Sequence, residues 1–502
     1  MTLLQQAAQH LQAKQYSSAS QCYRQLIQAQ PQHGQAWYGL GYIAQCQQQW
    51  ADAVEYLQQA CQFLPKQPAP LLGLANAFNQ VFSETDALTV LEYGQQQCPT
   101  NESIQYALTQ QYLIMGDIDA ATLLLQQLLT STDDERFGFA CLDAAKINVE
   151  LLLPIHLQRA QRFVTEQPQH SASIRLHYTL GMVAKHQHDY TNAMSHWDAA
   201  NALQYALCDF TVEDMAGLFD ALQTIDVDSS PLDSSPLDHH TTSDDSPLPF
   251  SSLTFTPVFI VGLPRTGSSL LDKQVCDLSV SAQRIASVGE VDYIATQCAR
   301  MLEQLTGYTY PACLEHLTDE LCHTARQGYV DAIGQHRTDA DYIIDKLPAN
   351  FQSLPLIYRL FPEAKVLHLT RDLAATALSI YSNDFGAAEP YFCNLSQMQQ
   401  YFSHYTAVMH HLTAIYSSNM HTLRYEDLVH DPQGQMTLVS DYLGLTAKAP
   451  NQLDDGNAGV SEIQTQGVNG VIKTLSSIQA RQPIYQSSAQ IPEELASYFK
   501  FS

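Results

Sequence analysis

The stretch VFIVGLPRTGSSLLDKQV, residues 258–275, decides the fold of the second half of the chain. Its apolar run ends at Gly262, a second glycine follows at Gly267, and Ser268 and Ser269 open a predicted helix. Two glycines permit a tight turn, and the first N–H groups of a helix, with the positive end of its dipole, attract an anion. The stretch therefore predicts a strand, a phosphate-binding loop and a helix. It departs from the G-x-x-x-x-G-K-[ST] loop because Ser268 stands where that loop has lysine.

Three further residues belong to the predicted anion site. Arg265 supplies a fixed positive charge, Thr266 supplies a hydroxyl donor, and Pro264 lies beside them in the same loop. Taken alone, the loop has an alternative interpretation, a glycine-containing turn between strand and helix that binds no ligand.

Apolar or β-branched runs recur after this point and alternate with long helical stretches. Together with the first strand they read PVFIVG, YIID, KVLHLTRD and MHTLRYED, and each stops at a turn or a charged residue. The alternation predicts a P-loop-like α/β domain with a mostly parallel sheet. In such a domain ligands bind at the carboxyl ends of the strands.

The segment TRDLAATALSIYSNDF, residues 370–385, predicts a second anion site. Arg371 follows an apolar run directly, and Ser379 lies about two helical turns later if a helix begins near Asp372. An arginine and a serine that converge in this way suit a phosphate group. The alternative is a surface arginine paired with Asp372 and a serine inside a helix.

The first third of the chain carries an internal repeat with a period of 34 residues. Positions that recur at this spacing are Pro31, Pro65 and Pro99, then Ala19, Ala53, Ala87 and Ala121, then Tyr23, Leu57, Leu91 and Leu125. Small residues where helices touch and helix-stopping prolines at this period resemble the tetratricopeptide repeat. We therefore expect an all-α tetratricopeptide solenoid over residues 1–205, with a degenerate register around residues 130–170.

A change of composition separates the predicted solenoid from the predicted α/β domain. We expect residues 206–255 to hold a connecting helix and a linker rich in Ser, Pro and Asp, and residues 256–502 to form the α/β domain. The linker contains a tandem SSPLD and no apolar period, so it cannot bury a core. His239 and His240 stand in this acidic tract without other ligands around them, so no metal site is predicted there.

Composition limits the partners and the compartment. The 502 residues have a formal net charge of −27, which argues against general affinity for nucleic acid or anionic lipid, because both depend on clustered Lys and Arg. The eleven cysteines are scattered and odd in number, which favours a reducing compartment. The chain shows neither a signal peptide nor an apolar run long enough to span a bilayer. We therefore expect a cytoplasmic protein that holds any anionic ligand locally.

Five stretches, in this order, resemble the sulfotransferases that use 3′-phosphoadenylyl sulfate (PAPS). They resemble in particular the bacterial members that carry tetratricopeptide repeats and are related to tyrosylprotein sulfotransferases. The stretches are PVFIVGLPRTGSSLL, SVGEVDYI, DKLPANFQSLPLIYRLFPEAKVLHLTRDLAATALSIY, LRYEDLVHDP and RQPIYQSSA. The resemblance is loose over the repeats and covers residues 256 to about 490 well.

The resemblance implies a role for each candidate residue. The loop with Arg265 takes the 5′-phosphosulfate of PAPS, and Arg371 and Ser379 take the 3′-phosphate. Glu290 is the general base, and Lys346 and Arg265 stabilise the leaving oxygen. A C-terminal cofactor-closing segment adds three 3′-phosphate contacts, Ser476, Ser477 and Arg481. Its IKTLSS departs from the arginine-containing version of the family, so closure relies on Lys473 instead.

The resemblance also implies the reaction. The sulfuryl group passes to a hydroxyl or an amine, protein tyrosine included, and adenosine 3′,5′-bisphosphate leaves, without a metal. The solenoid suits a protein or peptide partner, and a homodimer is compatible with it. Two alternatives stay open at this stage: a nucleotide kinase or other NTPase with a divergent P-loop, and a non-catalytic tetratricopeptide scaffold.

Overall fold

The computed structural model describes residues 2–81, 83–225, 253–279, 283–334, 340–386, 389–445 and 490–499. The candidates Ser476, Ser477, Arg481 and Lys473 and nearly all of the predicted linker lie outside these residues. The described chain divides into two compact units between His186 and Gln187. The division falls inside the span predicted as the solenoid, after its eleventh helix.

The first unit is entirely helical in its described residues. Its helices are α1 Leu3–Gln12, α2 Tyr16–Ala29, α3 Gly34–Cys46, α4 Trp50–Phe63, α5 Pro68–Gln80, α6 Glu84–Gln97, α7 Glu102–Met115, α8 Ile118–Leu128, α9 Asp134–Ile147, α10 Pro154–Glu166 and α11 Ser171–His186. The starts of α2, α4, α6 and α8 are 34 residues apart, which is the period of the sequence.

The recurring small residues lie where neighbouring helices touch. Ala19, Ala53, Ala87 and Ala121 have no exposed surface. A Cβ added at Gly39 would lie 2.4 Å from the ring of Tyr23. Such close approach leaves no room for a side chain, so the sequence period follows from helix packing.

The second unit begins with three helical segments and continues into an α/β domain. The first three are α12 Tyr190–Tyr205, a 3-10 turn at Val212–Met215, and α13 Ala216–Thr224. The strands are β1 Thr256–Gly262, β2 Ile285–Gly289, β3 Tyr342–Asp345, β4 Lys365–Thr370 and β5 Met420–Arg424. The remaining helices are α14 Ser268–Cys276, α15 Arg300–Thr306, α16 Asp319–Gly334, α17 Leu354–Leu360, α18 Leu373–Tyr381, α19 Leu395–Ile415, α20 Tyr425–His430, α21 Pro432–Leu443 and α22 Glu493–Ala496.

The described strands form one sheet in the order β2-β3-β1-β4-β5, and every neighbouring pair is parallel. The four predicted strands are present, and β2, with the sequence IASVG, is an additional one. Strand β1 is the point where the chain passes from one side of the sheet to the other. In open α/β sheets the crevice beyond the carboxyl ends at such a point is the usual ligand site.

Both faces of the sheet are covered, as a parallel sheet requires. On one face Val258, Ile260 and Leu367 pack with Leu271 of α14 and Val439 of α21. On the other face Phe259 lies against Phe361, and His368 of β4 contacts Tyr405 of α19. Among the described helices, none is both long and apolar enough to cross a membrane.

Candidate functional site

The loop between β1 and α14 has a backbone that demands both of its glycines. Gly262 has φ +154°, and a Cβ there would lie 2.4 Å from the carbonyl oxygen of Leu369 on β4. Gly267 has φ +99°, caps α14, and would place a Cβ 2.4 Å from the ring of Tyr425. The loop is therefore held tightly between β4 and the start of α20, and its helix begins at Ser268.

The hydroxyl residues of this loop differ in what they offer. Thr266 is buried, and its Oγ1 donates to the carbonyl oxygen of Leu263 at 2.7 Å, which stabilises the turn. Ser268 and Ser269 are the first two residues of α14. Their backbone N–H groups have no carbonyl within the helix to bind, as at any helix start. The loop therefore presents backbone donors and hydroxyls where the sequence predicts an anion. Pro264 precedes Arg265 on the partly exposed side of the loop.

Arg265 occupies the left-handed region at φ +66°, which is uncommon for a residue other than glycine. Its Nε donates to Oγ of Ser379 at 3.1 Å. Burial and the neighbouring Arg371 guanidinium lower the pKa of Arg265 to about 10. Two adjoining guanidinium groups repel each other, and a bound anion would offset that repulsion.

Arg371 lies beside Arg265, because the strands that precede them, β4 and β1, are neighbours in the sheet. Its Nη1 donates to the carbonyl oxygen of Arg265 at 2.7 Å, and its guanidinium carbon lies 4.8 Å from the centre of the Tyr425 ring. Burial lowers its pKa, while Tyr425 opposes that shift. The side chain is 7% exposed. Arg265 contacts both Arg371 and Ser379, so the two predicted anion sites adjoin.

The turn after β4 is fixed by two carboxylates. Oδ1 of Asp372 accepts from the backbone N–H of Ala375 and caps α18 at 2.9 Å. Oε1 of Glu426 accepts from the backbone N–H of Asp372 at 2.8 Å. Asp372 therefore caps a helix, and the neighbouring Arg371 is buried and not at the surface.

Glu290 and Lys346 follow two adjacent strands and contact each other. Glu290 comes directly after β2, and Lys346 comes directly after β3. The Lys346 ammonium donates to Oε1 of Glu290. The Lys346 side chain is 2% exposed and that of Glu290 is 30% exposed. The proposed base and the proposed leaving-group residue therefore share one hydrogen bond at the carboxyl edge of the sheet.

Asp345, the neighbour of Lys346, has other partners. Its carboxyl accepts from Oη of Tyr329 at 3.0 Å and from Nδ2 of Asn350 at 3.2 Å. Burial raises the pKa of Asp345 to about 8. The charge of Lys346 opposes this shift, although the Lys346 ammonium donates its hydrogen bond to Glu290.

Residues 257–449 match a family model described as the sulfotransferase family. This chain contains a sulfotransferase family domain. The match covers less than half of the chain and runs from β1 to just beyond α21.

Individual relatives are distant. An uncharacterized protein of Aquifex aeolicus (strain VF5) is 24% identical over 243 residues, which is 47% of this chain, and the chain spans 30% of that relative's length. The sulfotransferase domain of the Synechococcus PCC 7002 olefin synthase is 20% identical over 49% of this chain and 96% of its own, with a TM-score of 0.27. A sulfotransferase from Mycobacterium tuberculosis H37Rv is 12% identical over 76% of this chain and 98% of its own, with a TM-score of 0.28. The family match, and not these low scores, carries the assignment.

Two residues of the sulfotransferase domain join the site without having been predicted there. The ring of Tyr425 packs against Gly267 and against the Arg371 guanidinium. The sequence motif RYED, which contains Tyr425, indicates only a structural role. Glu389 follows α18, and burial together with the charge of Glu290 raises its pKa to about 7, while a hydrogen bond from Tyr391 at 3.4 Å opposes the shift. The RYED motif is a weak signal for the first, and no sequence pattern marks the second.

Potential metal ligands are the next feature of the site. Within the described residues, no group of three or more His, Cys, Asp or Glu side chains is placed to hold a metal ion. Among the described residues of the site, Arg265, Arg371 and Lys346 carry positive charge.

Proposed function

We propose that this chain is a sulfotransferase that moves the sulfuryl group of PAPS to a hydroxyl or amine acceptor. The observation that carries the proposal is the contact of Arg265 with both Arg371 and Ser379, at 2.7 Å and 3.1 Å. One nucleotide with a phosphate on each side of its ribose needs two adjoining anion sites. The family match to residues 257–449 supports the same conclusion.

In this proposal the chain binds PAPS at both its 5′-phosphosulfate and its 3′-phosphate. The loop from Gly262 to Ser269 binds the 5′-phosphosulfate through backbone N–H groups, hydroxyls and Arg265. Arg371 and Ser379 bind the 3′-phosphate. Ser476, Ser477 and Arg481 are proposed to close over the 3′-phosphate. A single phosphate bearing a sulfuryl group has less charge than a triphosphate, so the loop functions without the lysine that Ser268 replaces.

The reaction follows from the pair at the sheet edge. Glu290 takes the proton of the acceptor, the acceptor oxygen or nitrogen bonds to sulfur, and the bond from sulfur to the 5′-phosphate oxygen breaks. Negative charge grows on that oxygen, and Lys346 and Arg265 stabilise it. An ammonium shared with Glu290 is drawn toward the leaving oxygen as this charge grows, which leaves the carboxylate able to accept the proton. Adenosine 3′,5′-bisphosphate is released.

The helical region is proposed to be a tetratricopeptide solenoid. The 34-residue spacing of α2, α4, α6 and α8 and the fully buried alanines support this. Its concave surface suits a protein or peptide partner, and a homodimer is the other arrangement we propose for it. The resemblance of the sequence to tyrosylprotein sulfotransferases makes a protein tyrosine one candidate acceptor. We propose a cytoplasmic location from the scattered cysteines.

Two variants test the assignment of roles. We expect Arg371→Ala to weaken binding of adenosine 3′,5′-bisphosphate by about tenfold or more, because a buried charged hydrogen-bond donor is lost. We expect Glu290→Gln to lower turnover by about a hundredfold or more, with bisphosphate affinity nearly unchanged. Calorimetric titration measures the first and release of bisphosphate from PAPS the second. Turnover of Glu290→Gln equal to that of the unaltered chain would remove Glu290 from the mechanism.

A further inference from the structure

The helix that carries Ser379 is held at its carboxyl end by residues far upstream in the chain. Helix α18 ends at Tyr381, two residues after Ser379. Asn201 of α12 donates from Nδ2 to the carbonyl oxygen of Tyr381 at 2.8 Å. Asp198, one turn earlier on α12, accepts from Oη of Tyr381 at 2.8 Å. Two side chains of α12 therefore bind the carbonyl oxygen and the hydroxyl of the last residue of α18.

These contacts satisfy groups that would otherwise be buried without partners. The last carbonyl groups of a helix have no N–H partner within the helix. Tyr381 is 6% exposed and Asn201 is 1% exposed, so water has little access to the Tyr381 carbonyl. Asn201 is itself oriented, because its Nδ2 also donates to the carbonyl oxygen of Trp197 at 2.9 Å. The ring of Tyr381 packs edge-on against Phe499, with centroids 6.0 Å apart.

The two ends of α18 are thus fixed by different elements. At its amino end Asp372 caps the helix and Glu426 binds the backbone of Asp372. At its carboxyl end Asn201 and Asp198 hold Tyr381. Ser379 lies in the last turn, so its hydroxyl is placed mainly by the carboxyl-end contacts. The carbonyl oxygen of Ser379 also accepts from Nδ2 of Asn383 at 2.8 Å, which extends the same anchored turn.

We propose that Asn201 and Asp198 are positioning residues for the 3′-phosphate subsite. They touch no substrate and act through Tyr381 on the location of Ser379. Helix α12, the first helix of the second unit, thereby supports the donor site of the sulfotransferase domain. This inference rests on the proposed function, because it takes Ser379 as a ligand of the 3′-phosphate.

The test compares two nucleotides that differ only in the 3′-phosphate. Calorimetry on the full chain measures the affinity for adenosine 3′,5′-bisphosphate and for adenosine 5′-monophosphate, and their ratio isolates the 3′-phosphate. We expect Asn201→Ala to lower this ratio by about three- to tenfold, the loss of one oriented hydrogen bond. General loosening of the fold would weaken both nucleotides alike and leave the ratio unchanged.

Gln397→Ala is the matched control. Gln397 also bridges the segment before the sheet to a helix of the domain, because its Oε1 accepts from the backbone N–H of Val212 at 2.7 Å. It lies on α19 and not on α18, so we expect its ratio to equal that of the unaltered chain. Tyr381→Phe removes only the hydrogen bond to Asp198, keeps the ring, and should lower the ratio by a smaller factor. It provides the test if Asn201→Ala does not fold.

The outcomes separate the two claims. If the unaltered chain prefers the bisphosphate and neither Asn201→Ala nor Tyr381→Phe lowers the ratio, the positioning inference is wrong and the proposed function stands. If the unaltered chain shows no preference for the bisphosphate, the proposed function fails, and the inference fails with it.

Discussion

Gly267 is the residue at which backbone conformation and side-chain packing limit the anion loop together. We expect Gly267→Ala to lower the free energy of unfolding by about 1–3 kcal/mol and to weaken bisphosphate binding, because φ +99° is strained for alanine and its Cβ would meet the Tyr425 ring. Gly307→Ala is the matched control, since Gly307 has φ +80° but no atom within 4 Å of an added Cβ. Urea unfolding and calorimetry measure both variants. Equal losses in the two variants would show that contact with Tyr425 contributes nothing.

Asp345 makes stability depend on pH. Burial raises its pKa to about 8, so the folded chain keeps a proton that the unfolded chain releases at lower pH. The contribution of this carboxyl to stability therefore falls as the pH rises toward 8 and is constant above that value. Asp345→Asn cannot ionise. We expect the unaltered chain to lose stability relative to this variant between about pH 6 and about pH 8.5, measured by urea unfolding.

Asp441→Asn is the control for this titration, because it makes the same substitution at an exposed position. The expectation for Asp345 is contradicted if the difference in unfolding free energy between Asp345→Asn and the unaltered chain is the same at about pH 6 and about pH 8.5.

Single residues of the site differ in how far the sequence reveals them. The meeting of Arg265 and Arg371 is predictable, because Arg265 lies in the loop after one strand, Arg371 directly follows another, and parallel strands end at one edge. Arg265 contacts Ser379 from a left-handed backbone conformation, and a sequence pattern encodes neither the contact nor that conformation. Glu389 lies close enough to Glu290 for the charge of Glu290 to raise its pKa, and its neighbours in sequence carry no motif.

At the scale of elements, the helical repeat provides the sharpest stability test. Leu57 recurs at the 34-residue spacing, has no exposed surface, and lies 2.5 Å from where a Cβ of Gly41 would be. We expect Leu57→Ala to lower the free energy of unfolding of the helical unit by about 2–5 kcal/mol, from lost apolar contact and the cavity left behind. Leu123→Ala is the control, because Leu123 is 63% exposed. Circular dichroism during urea unfolding measures both, and similar losses would mean that the period does not report the core.

Elements were predictable where the pattern was long. Helices end at Ala29, Phe63 and Gln97, two residues before the three prolines that mark the period. Strand β2 was missed because IASVG is short and holds Ala, Ser and Gly, without the run of β-branched residues that marks β1. It is a strand because it pairs with β3, and a single-sequence pattern does not contain that pairing.

At the scale of the whole molecule, the acidic charge makes the local cluster of positive groups informative. A chain with net charge −27 repels anions in general. We therefore propose that an anion is held locally by Arg265, Arg371 and the backbone donors of the loop. The limit of the predicted solenoid at residue 205 stays a prediction. The repeat pattern reaches α12, yet α12 belongs to the same compact unit as the sheet. Periodicity reports that a helix is amphipathic, but not which neighbour it packs against.

The central claim is that one nucleotide with phosphates at both ribose positions binds at the ends of β1 and β4. The most direct test is thermal unfolding of the full chain with adenosine 3′,5′-bisphosphate and, separately, with ATP and Mg²⁺. At about a hundred times its dissociation constant the bisphosphate should add about 2.7 kcal/mol to the stability of the unit that binds it. We expect that stabilisation from the bisphosphate without metal. Stabilisation by ATP and Mg²⁺, but not by the bisphosphate, would instead indicate a kinase or other NTPase. Stabilisation by neither ligand would indicate a non-catalytic scaffold. Either result would contradict the claim that a nucleotide with phosphates at both ribose positions binds here.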